Sequence, residues 1–597
     1  MRTSAIAVLL HVATVIGFCG QDRLNSLLTF YELSGYRKTP RYAETIDYCK
    51  RLAKASPWVK YRSFGVSPQG RELPLVIVSK ERAFTPVRAA ATGKSIVLIQ
   101  SGIHAGEIDG KDASLMLIRN IAVRKVLSGL LDHTILLFVP IFNVDGHERF
   151  GPYNRINQNG PEEMGWRVTA QNLNLNRDYM KADAPEMRAM LTLFHRWLPD
   201  LYVDCHVTDG IDFQYDVTYD METAQNIDPA LSNWITGTLL PQALPEVEAA
   251  GHKIFPYVAP REDTDLSKGL RGGVMAPRLS TGYAALQNRP SLLIETHMLK
   301  PYRVRVDATY QLLKAVIETV GRSSEQLRSA IHCADRATVH AGETYNSKKA
   351  LPLRFAVGGK SEQKEFLGIE FRTEPSDISG ASRRIYTGKP FDVTIPYFDE
   401  VTVTDSVSIP VAYLVPQEWK FVPEIMKVHG VSMERLAEPA TLIVESYHFS
   451  DAQWRGAPYE GRQTATYALD TFTEQRTYPA GSLLIRMNQR AAKVVMHLLE
   501  PKGQDSFVAW GFFNAIFEQK EYAESYVMEE EARKMLVADP ELKKEFDMRL
   551  LADSAFAKDP DARLNWFYSR SRWADPGLNT YPVGRVVAGA EFKTQQH

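Results

Sequence analysis

Short apolar runs alternate with amphipathic stretches from about Lys38 to Gly321. Six of the runs read as strands: Val59–Phe64, Leu75–Ser79, Ser95–Gln100, Thr134–Ile141, Leu201–His206 and Ser291–Glu295. Runs such as SIVLIQ and SLLI are continuously apolar, as strands covered on both faces are. Between them, Tyr42–Ala55, Lys111–Arg124, Ala184–Leu198 and Val304–Val320 space their apolar residues for helices. In Lys111–Arg124, for example, Leu115, Ile118 and Ala122 share one side. Buried strands alternating with helices predict an α/β domain whose helices cover the sheet.

After a helical connector at Ser323–Ala337 the pattern changes. Ala350–Pro416 is rich in Val, Thr, Tyr and Phe with turn residues between, as in EVTVTDSVSIPVAYLVP, and predicts a small β domain. Phe421–Ala437, Lys493–Leu499 and Glu518–Ala557 read as helices, and Ala440–Tyr447 and Ser482–Met487 as strands. Glu529–Glu531 reads as a solvated helix face. The expected organisation is an α/β domain over residues 21–337, a β-rich domain over 338–418 and a mixed, helix-rich region over 419–597.

Residues 1–20 read as a secretory signal: Arg2, an apolar stretch Ala5–Phe18, and small Gly17 and Cys19 suited to cleavage after Cys19. The stretch is shorter than the roughly 20 residues a membrane-spanning helix needs. An uncleaved anchor or a buried helix is the plainer alternative. Lipidation at Cys19 is another, disfavoured by bulky Phe18. No other segment reads as membrane-spanning, so a secreted or periplasmic protein is expected.

Composition narrows the classes. The 597 residues are 44% hydrophobic and 24% charged with a formal net charge of −1, ordinary for a globular enzyme and without the basic excess of a nucleic-acid binder. Four cysteines, three of them after signal removal, make no disulfide framework, although one bridge has room to form.

The candidate chemistry sits at strand ends. His104-Ala-Gly-Glu107 follows SIVLIQ, His206 ends LYVDCH and Glu295 ends SLLIE. Ligands of open α/β sheets gather beyond the carboxyl ends of the strands. Imidazole and carboxylate both bind zinc, and three protein ligands leave a position open for water. His-x-x-Glu alone decides little, because it recurs at His340–Glu343 and His497–Glu500. The first copy has no buried strand before it and is expected to bind no zinc; the second reads as a helix face. Cys205 faces away from His206, since adjacent strand residues point to opposite faces, and reads as a buried small hydrophobe. Taken singly, His206 could be a core histidine, Glu295 a strand-end ion pair, and Arg167 and Arg177 surface charges. Asn143 and Asp145 beside Gly146 read as turn formers.

Seven motifs in order resemble the zinc carboxypeptidase family, the carboxypeptidase A-like metallopeptidases, over about the first half of the chain. SFGVSPQGRELP at Ser63–Pro74 looks like that family's Gly-x-Ser-x-x-Gly-Arg hairpin. SGIHAGE, PIFNVDG at Pro140–Gly146, Trp166-Arg167 with Asn176-Arg177, Pro185-Glu186, YVDCH and SLLIE follow. The resemblance implies an α/β/α sandwich with a mixed sheet and one zinc ion held by His104, Glu107 and His206. It implies Glu295 as the catalytic glutamate and Arg167 for the oxyanion. Asn176 and Arg177 would hold the substrate carboxylate, with Tyr283 the nearest counterpart of a mobile tyrosine. Two departures stand out. Asn174 occupies a position where the family often has Asp, and Arg167 lies nine residues before Asn176, a short spacing. The implied activity is release of C-terminal residues from a peptide or protein substrate. The alternatives are a zinc amidase acting on peptidoglycan stem peptides or acyl-amino acids, and a non-catalytic secreted binding protein on the same scaffold. The side-chain preference is not legible, because the stretch from about Phe255 to Gln287 holds no decodable motif.

Overall fold

The computed structural model describes residues 27–262, 265–588 and 592–596. The expected signal segment and Cys19 lie outside the described residues. The chain forms two compact units. The first comprises the residues up to Val411 together with 419–433 and 485–506; the second comprises 412–418, 434–484 and 507 onward.

The first unit is built on an eight-stranded sheet. Its strands are β1 (Val59–Val66), β2 (Glu72–Val78), β3 (Ser95–Ser101), β4 (Thr134–Val139), β5 (Leu201–Val207), β6 (Val217–Asp220), β7 (Ile254–Pro256) and β10 (Ser291–Thr296). Their spatial order is β1-β2-β4-β3-β5-β10-β6-β7. β3 runs parallel to β4 and β5, and β5 parallel to β10. β1–β2, β2–β4 and β10–β6 are antiparallel, so the sheet is mixed. β3, β4, β5 and β10 are buried along their whole length, which explains their uninterrupted apolar sequence. Helices α1 (Tyr42–Ala55), α2 (Asp109–Ile118), α3 (Pro185–Trp197), α4 (Ser280–Leu286) and α5 (Tyr302–Arg322) accompany the sheet. Ile46, Cys49 and Leu52 of α1 repeat at helical spacing and are buried, whereas Lys50 and Arg51 are exposed.

Helix α2 starts at Asp109, two residues before the apolar pattern begins, because its first turn is polar yet buried. Asp109 is matched by Arg305 of α5, whose Nε lies 2.9 Å from the carboxylate. The Arg305 guanidinium also donates to the carbonyls of Asn159, Gly160 and Lys300 at 2.7–2.8 Å. Thr296, at the end of β10, donates to Asp109 at 2.6 Å. One carboxylate thus joins α2, β10 and α5.

Residues well beyond the sheet complete this unit. The α4 region is held by Arg278, paired with Asp505 at 3.1 Å, by Arg490 donating to Gln287 at 2.5 Å and by Lys493 donating to Asn288 at 2.8 Å. β8 (Ala259–Pro260) and β9 (Leu270–Arg271) join a long hairpin of β12 (Glu362–Pro375) and β13 (Ser382–Phe398), while β11 (Ala350–Val357) pairs with β14 (Val401–Ser408).

The second half departs from the pattern in places. The helix expected over Phe421–Ala437 stops at Val428; Gly430 has φ +75°, and Glu434–Leu436 is a strand. The Glu518–Ala557 region is three helices, Ser525–Ala538, Pro540–Ala552 and Ser554–Lys558, the last two capped by Asp539 and Asp553. In the second unit Ala440–Trp454 pairs antiparallel with Ala465–Tyr478. Among the described residues, no helix is long and apolar enough to cross a membrane.

Candidate active site

Three adjacent strands deliver the site. β3, β5 and β10 lie side by side, and His206 and Glu295 are direct partners across the β5–β10 pair. His104 and Glu107 follow β3. His104, Glu107 and His206 are all buried and each offers one ligand atom, and these atoms lie within 4.8 Å of one another. Both Nδ1 atoms face the Glu107 carboxylate, at 3.1 Å for His104 and 3.0 Å for His206.

The outer ring nitrogens are held from behind. His206 Nε2 lies 2.8 Å from Asp204, which shares its strand face two residues earlier. Asp204 is itself held by Gln100 Nε2 at 2.8 Å. His104 Nε2 lies 3.2 Å from Asn174 Oδ1, so the residue that departs from the expected Asp performs this anchoring with an amide oxygen. Such outer partners fix the tautomer and aim of a metal-binding imidazole. Two imidazoles, a carboxylate and carboxylate or amide anchors form a donor set that fits zinc.

Close backbone approach brings the arginine segment to this loop. A Cβ on Gly106 would lie 2.7 Å from the Gly165 carbonyl oxygen, and one on Gly165 would lie 2.5 Å from that of Ala105. Only glycine at both positions lets the two chains run this close. Arg167 then lies with Nη1 3.4 Å from Glu107. Arg155, which the sequence did not mark, comes nearer, at 2.8 Å. Asn143 caps a short helix through Gly146 N at 2.9 Å and donates to the Arg167 carbonyl at 3.2 Å. Asp145 grips the β1–β2 turn through Ser67 and Arg71, each at 2.7 Å.

A cavity of 260 Å³ opens beside the cluster. His104, Glu107, Arg167, Asn176, Arg177, His206 and Glu295 all line it. Tyr283 does not. It lies in α4, fully buried, its hydroxyl 3.0 Å from His429 Nδ1 and accepting from Gln287 at 2.8 Å. The tyrosine on the cavity wall is Tyr257, with Asp209 nearby on the same wall. Both sit in irregular backbone, where no periodic signal marks them.

Comparison with known proteins bears on this geometry. Residues 45–236 match the zinc carboxypeptidase family profile. The chain contains a zinc carboxypeptidase domain. Carboxypeptidase 2 of Trichophyton tonsurans is 23% identical over 493 residues, 79% of this chain and 84% of the relative. Carboxypeptidase 2 of Trichophyton rubrum is 24% identical over 488 residues, with the same coverage. Among solved structures, carboxypeptidase A of Helicoverpa armigera superposes with a TM-score of 0.35 at 19% identity, covering 50% of this chain and 75% of its own.

Within the carboxypeptidase cavity the electrostatics are uneven. Burial raises the Glu107 carboxyl, but His104 and Arg155 outweigh it and hold Glu107 well below the usual range. Burial lowers His104 to about 4. Burial also lowers His206, yet the Asp204 carboxylate overrides it and holds His206 well above the ordinary imidazole value. Glu295 is raised to about 8 by burial, against the pull of His206 and with the push of Glu107 and Asp209. Its Oε2 is buried with no hydrogen-bond partner. Tyr257 is raised chiefly by the Glu295 charge, then by burial. The other His-x-x-Glu copies lie elsewhere: His340 and Glu343 pair on an exposed helix end, and His497 is buried in the helix Ala492–Leu499. Cys205 is buried with its Sγ against Gly110 of α2, on the face away from His206.

Proposed function

We propose that this chain is a secreted metallocarboxypeptidase that removes C-terminal residues from peptides, with one zinc ion held by His104, Glu107 and His206. The observation that carries this reading is the convergence of three ligand atoms within 4.8 Å on a cavity also lined by Glu295, Arg167, Asn176 and Arg177. Zinc held by such a set supplies a Lewis acid and lowers the pKa of bound water to about 7.

The side chains divide the remaining work. Glu295 takes the proton of the attacking water and passes it to the leaving amine, and its partnerless Oε2 is free for that exchange. Arg167 faces the charge that develops on the carbonyl oxygen. Arg177 and Asn176 hold the free carboxylate of the terminal residue. Tyr257 takes the place over the substrate that Tyr283, locked in the core, does not occupy. The arginine and asparagine on the cavity favour an exopeptidase over an amidase. The apolar stretch at Ala5–Phe18 supports export.

The test is zinc content with hydrolysis of peptides carrying free or amidated C-termini. Glu295→Gln keeps its zinc and loses roughly 100- to 10,000-fold in kcat. Arg177→Ala loses roughly 10- to 100-fold in kcat/KM on free carboxylates and narrows the preference over amides. Full activity after verified zinc removal would sink the reading. Tolerance of Arg177→Ala, with Glu295→Gln inactive, would favour the amidase.

A further inference from the structure

A second cavity, of 150 Å³, lies within the first unit, and Met275 lines both it and the catalytic cavity. Leu286 of α4, Leu351, Leu353 and Phe355 of β11, and Lys493 and His497 of the helix Ala492–Leu499 also line it. Lys493 and His497 are four residues apart and so share a helix face. None of these residues belongs to the zinc cluster.

The polar groups of this cavity are incompletely matched. His497 bonds the backbone of Pro352, which has only a carbonyl to offer, so the bonded ring nitrogen carries the proton. Its Nδ1 has no partner and is left as an acceptor. Burial, with the Lys493 charge, lowers the ring to about 3 and keeps it neutral. Asn226, also on the wall, donates through Nδ2 to Glu222 at 2.5 Å, while its Oδ1 is buried without a partner. Lys493 donates to the neutral amide of Asn288 at 2.8 Å. Burial lowers Lys493 below the usual range, against the pull of Asp228 and Asp335. The cavity therefore brings two unfilled acceptors and one buried cation to an otherwise largely apolar wall.

We propose that this second cavity is an effector site for a free α-amino acid of about the size of valine. Two acceptors call for a donor and the cation calls for an anion. An α-amino acid carries both on one carbon: its ammonium meets Asn226 Oδ1 and His497 Nδ1, and its carboxylate meets Lys493. Its side chain lies against Leu286, Leu351, Leu353 and Phe355. A cavity of this volume accepts a body of about benzene's size, so tryptophan is too large. Met275 carries occupancy to the catalytic wall. The strip around it has no slack against α4, because a Cβ on Gly282 would lie 2.4 Å from the Ala276 carbonyl oxygen and 2.5 Å from that of Met275. Ser280 and Thr281 of the same helix line the catalytic cavity. The released product is such an amino acid, a link that rests on the carboxypeptidase reading above; the binding chemistry does not.

The experiment titrates the zinc-loaded full chain by calorimetry with L-valine, L-valinamide and 3-methylbutanoate. Valine is expected to bind with a Kd of about 0.1 mM. Valinamide, which lacks the carboxylate, and 3-methylbutanoate, which lacks the ammonium, each bind about 10- to 100-fold more weakly. Lys493→Gln, which keeps a donor for Asn288, loses affinity for valine by a similar factor, and Arg177→Ala keeps it. Saturating valine shifts the KM for a blocked dipeptide by about fivefold or more in the wild type and leaves Lys493→Gln unchanged. Absence of valine binding overturns the proposal, as do three ligands of equal affinity. Binding lost in Arg177→Ala and kept in Lys493→Gln also overturns it, placing valine in the catalytic cavity. Binding through Lys493 with no shift in KM removes the effector role. A wild type that binds valine in this way and hydrolyses no peptide overturns the carboxypeptidase reading and leaves the amino-acid site standing.

Discussion

Asp204 stands one step behind the ligand cluster and decides which nitrogen His206 presents. With Nε2 engaged by a carboxylate 2.8 Å away, Nδ1 turns toward Glu107 and His104. The expected effect of Asp204→Asn is a zinc affinity about 10- to 100-fold weaker, read by competition with a chromogenic chelator. His104 has a neutral anchor, Asn174, so its support depends less on charge. Neither anchor was legible in the sequence. Asp204 is one polar letter inside an apolar strand, and Asn174 looked only like a departure from a pattern. The three candidate ligands stood out because each ends or follows a continuous apolar run, and a strand end in an α/β sheet is where chemistry collects.

At the scale of elements, the sheet centre and its β1–β2 margin were read as strands from the sequence, and the β6–β7 margin was not. β3, β5 and β10 are buried along their whole length, and each was bounded correctly to within a residue or so. β6 has only two buried residues, Val217 and Thr218, and gives no apolar run. Helix α2 was read two residues late because its opening charges are buried against Arg305 rather than solvated. That pair is a test of how the elements are bound. Arg305→Met leaves Asp109 buried without its cation, and unfolding in denaturant should show a loss of about 3–5 kcal/mol. A second tie between elements depends on pH. His252 lies 3.1 Å from both Asp216, just before β6, and Asp307 on α5. Hydrogen bonds to these two carboxylates raise it to about 9. A raised imidazole contributes stability that is complete below its ordinary value near 6.5 and is lost as pH rises through about 9. The gap in melting temperature between wild type and His252→Gln should therefore be widest at pH 6 and close toward pH 10. A gap that does not change over that range would exclude this linkage.

For the whole molecule, the first half was readable as alternating strands and helices in order. The second half was readable only in patches. Its long hairpin strands, such as Ala465–Tyr478, are largely solvent-facing and carry alternating polar residues rather than a hydrophobic run. Tyr257 and the irregular stretch around it escaped because cavity walls built from loops have no period to detect. Tyr283 was misplaced for the converse reason: its sequence resembles a loop, but Ser280–Leu286 is a buried helix.

The ties from Arg278 to Asp505, Arg490 to Gln287 and Lys493 to Asn288 set where the enzyme ends. The family profile matches residues 45–236, yet the segment holding Leu279, Ser280 and Thr281 on the cavity is fastened by residues near the five-hundredth position. Trimming the gene to the recognisable catalytic portion would remove the fastenings and spare every ligand. A chain ending at Pro416 should bind zinc more weakly and turn over poorly, and limited proteolysis should cut first near Arg278. Minimal versions sought for engineering must keep residues 485–506, and inhibitors that loosen that distant segment would act on the pocket without entering it.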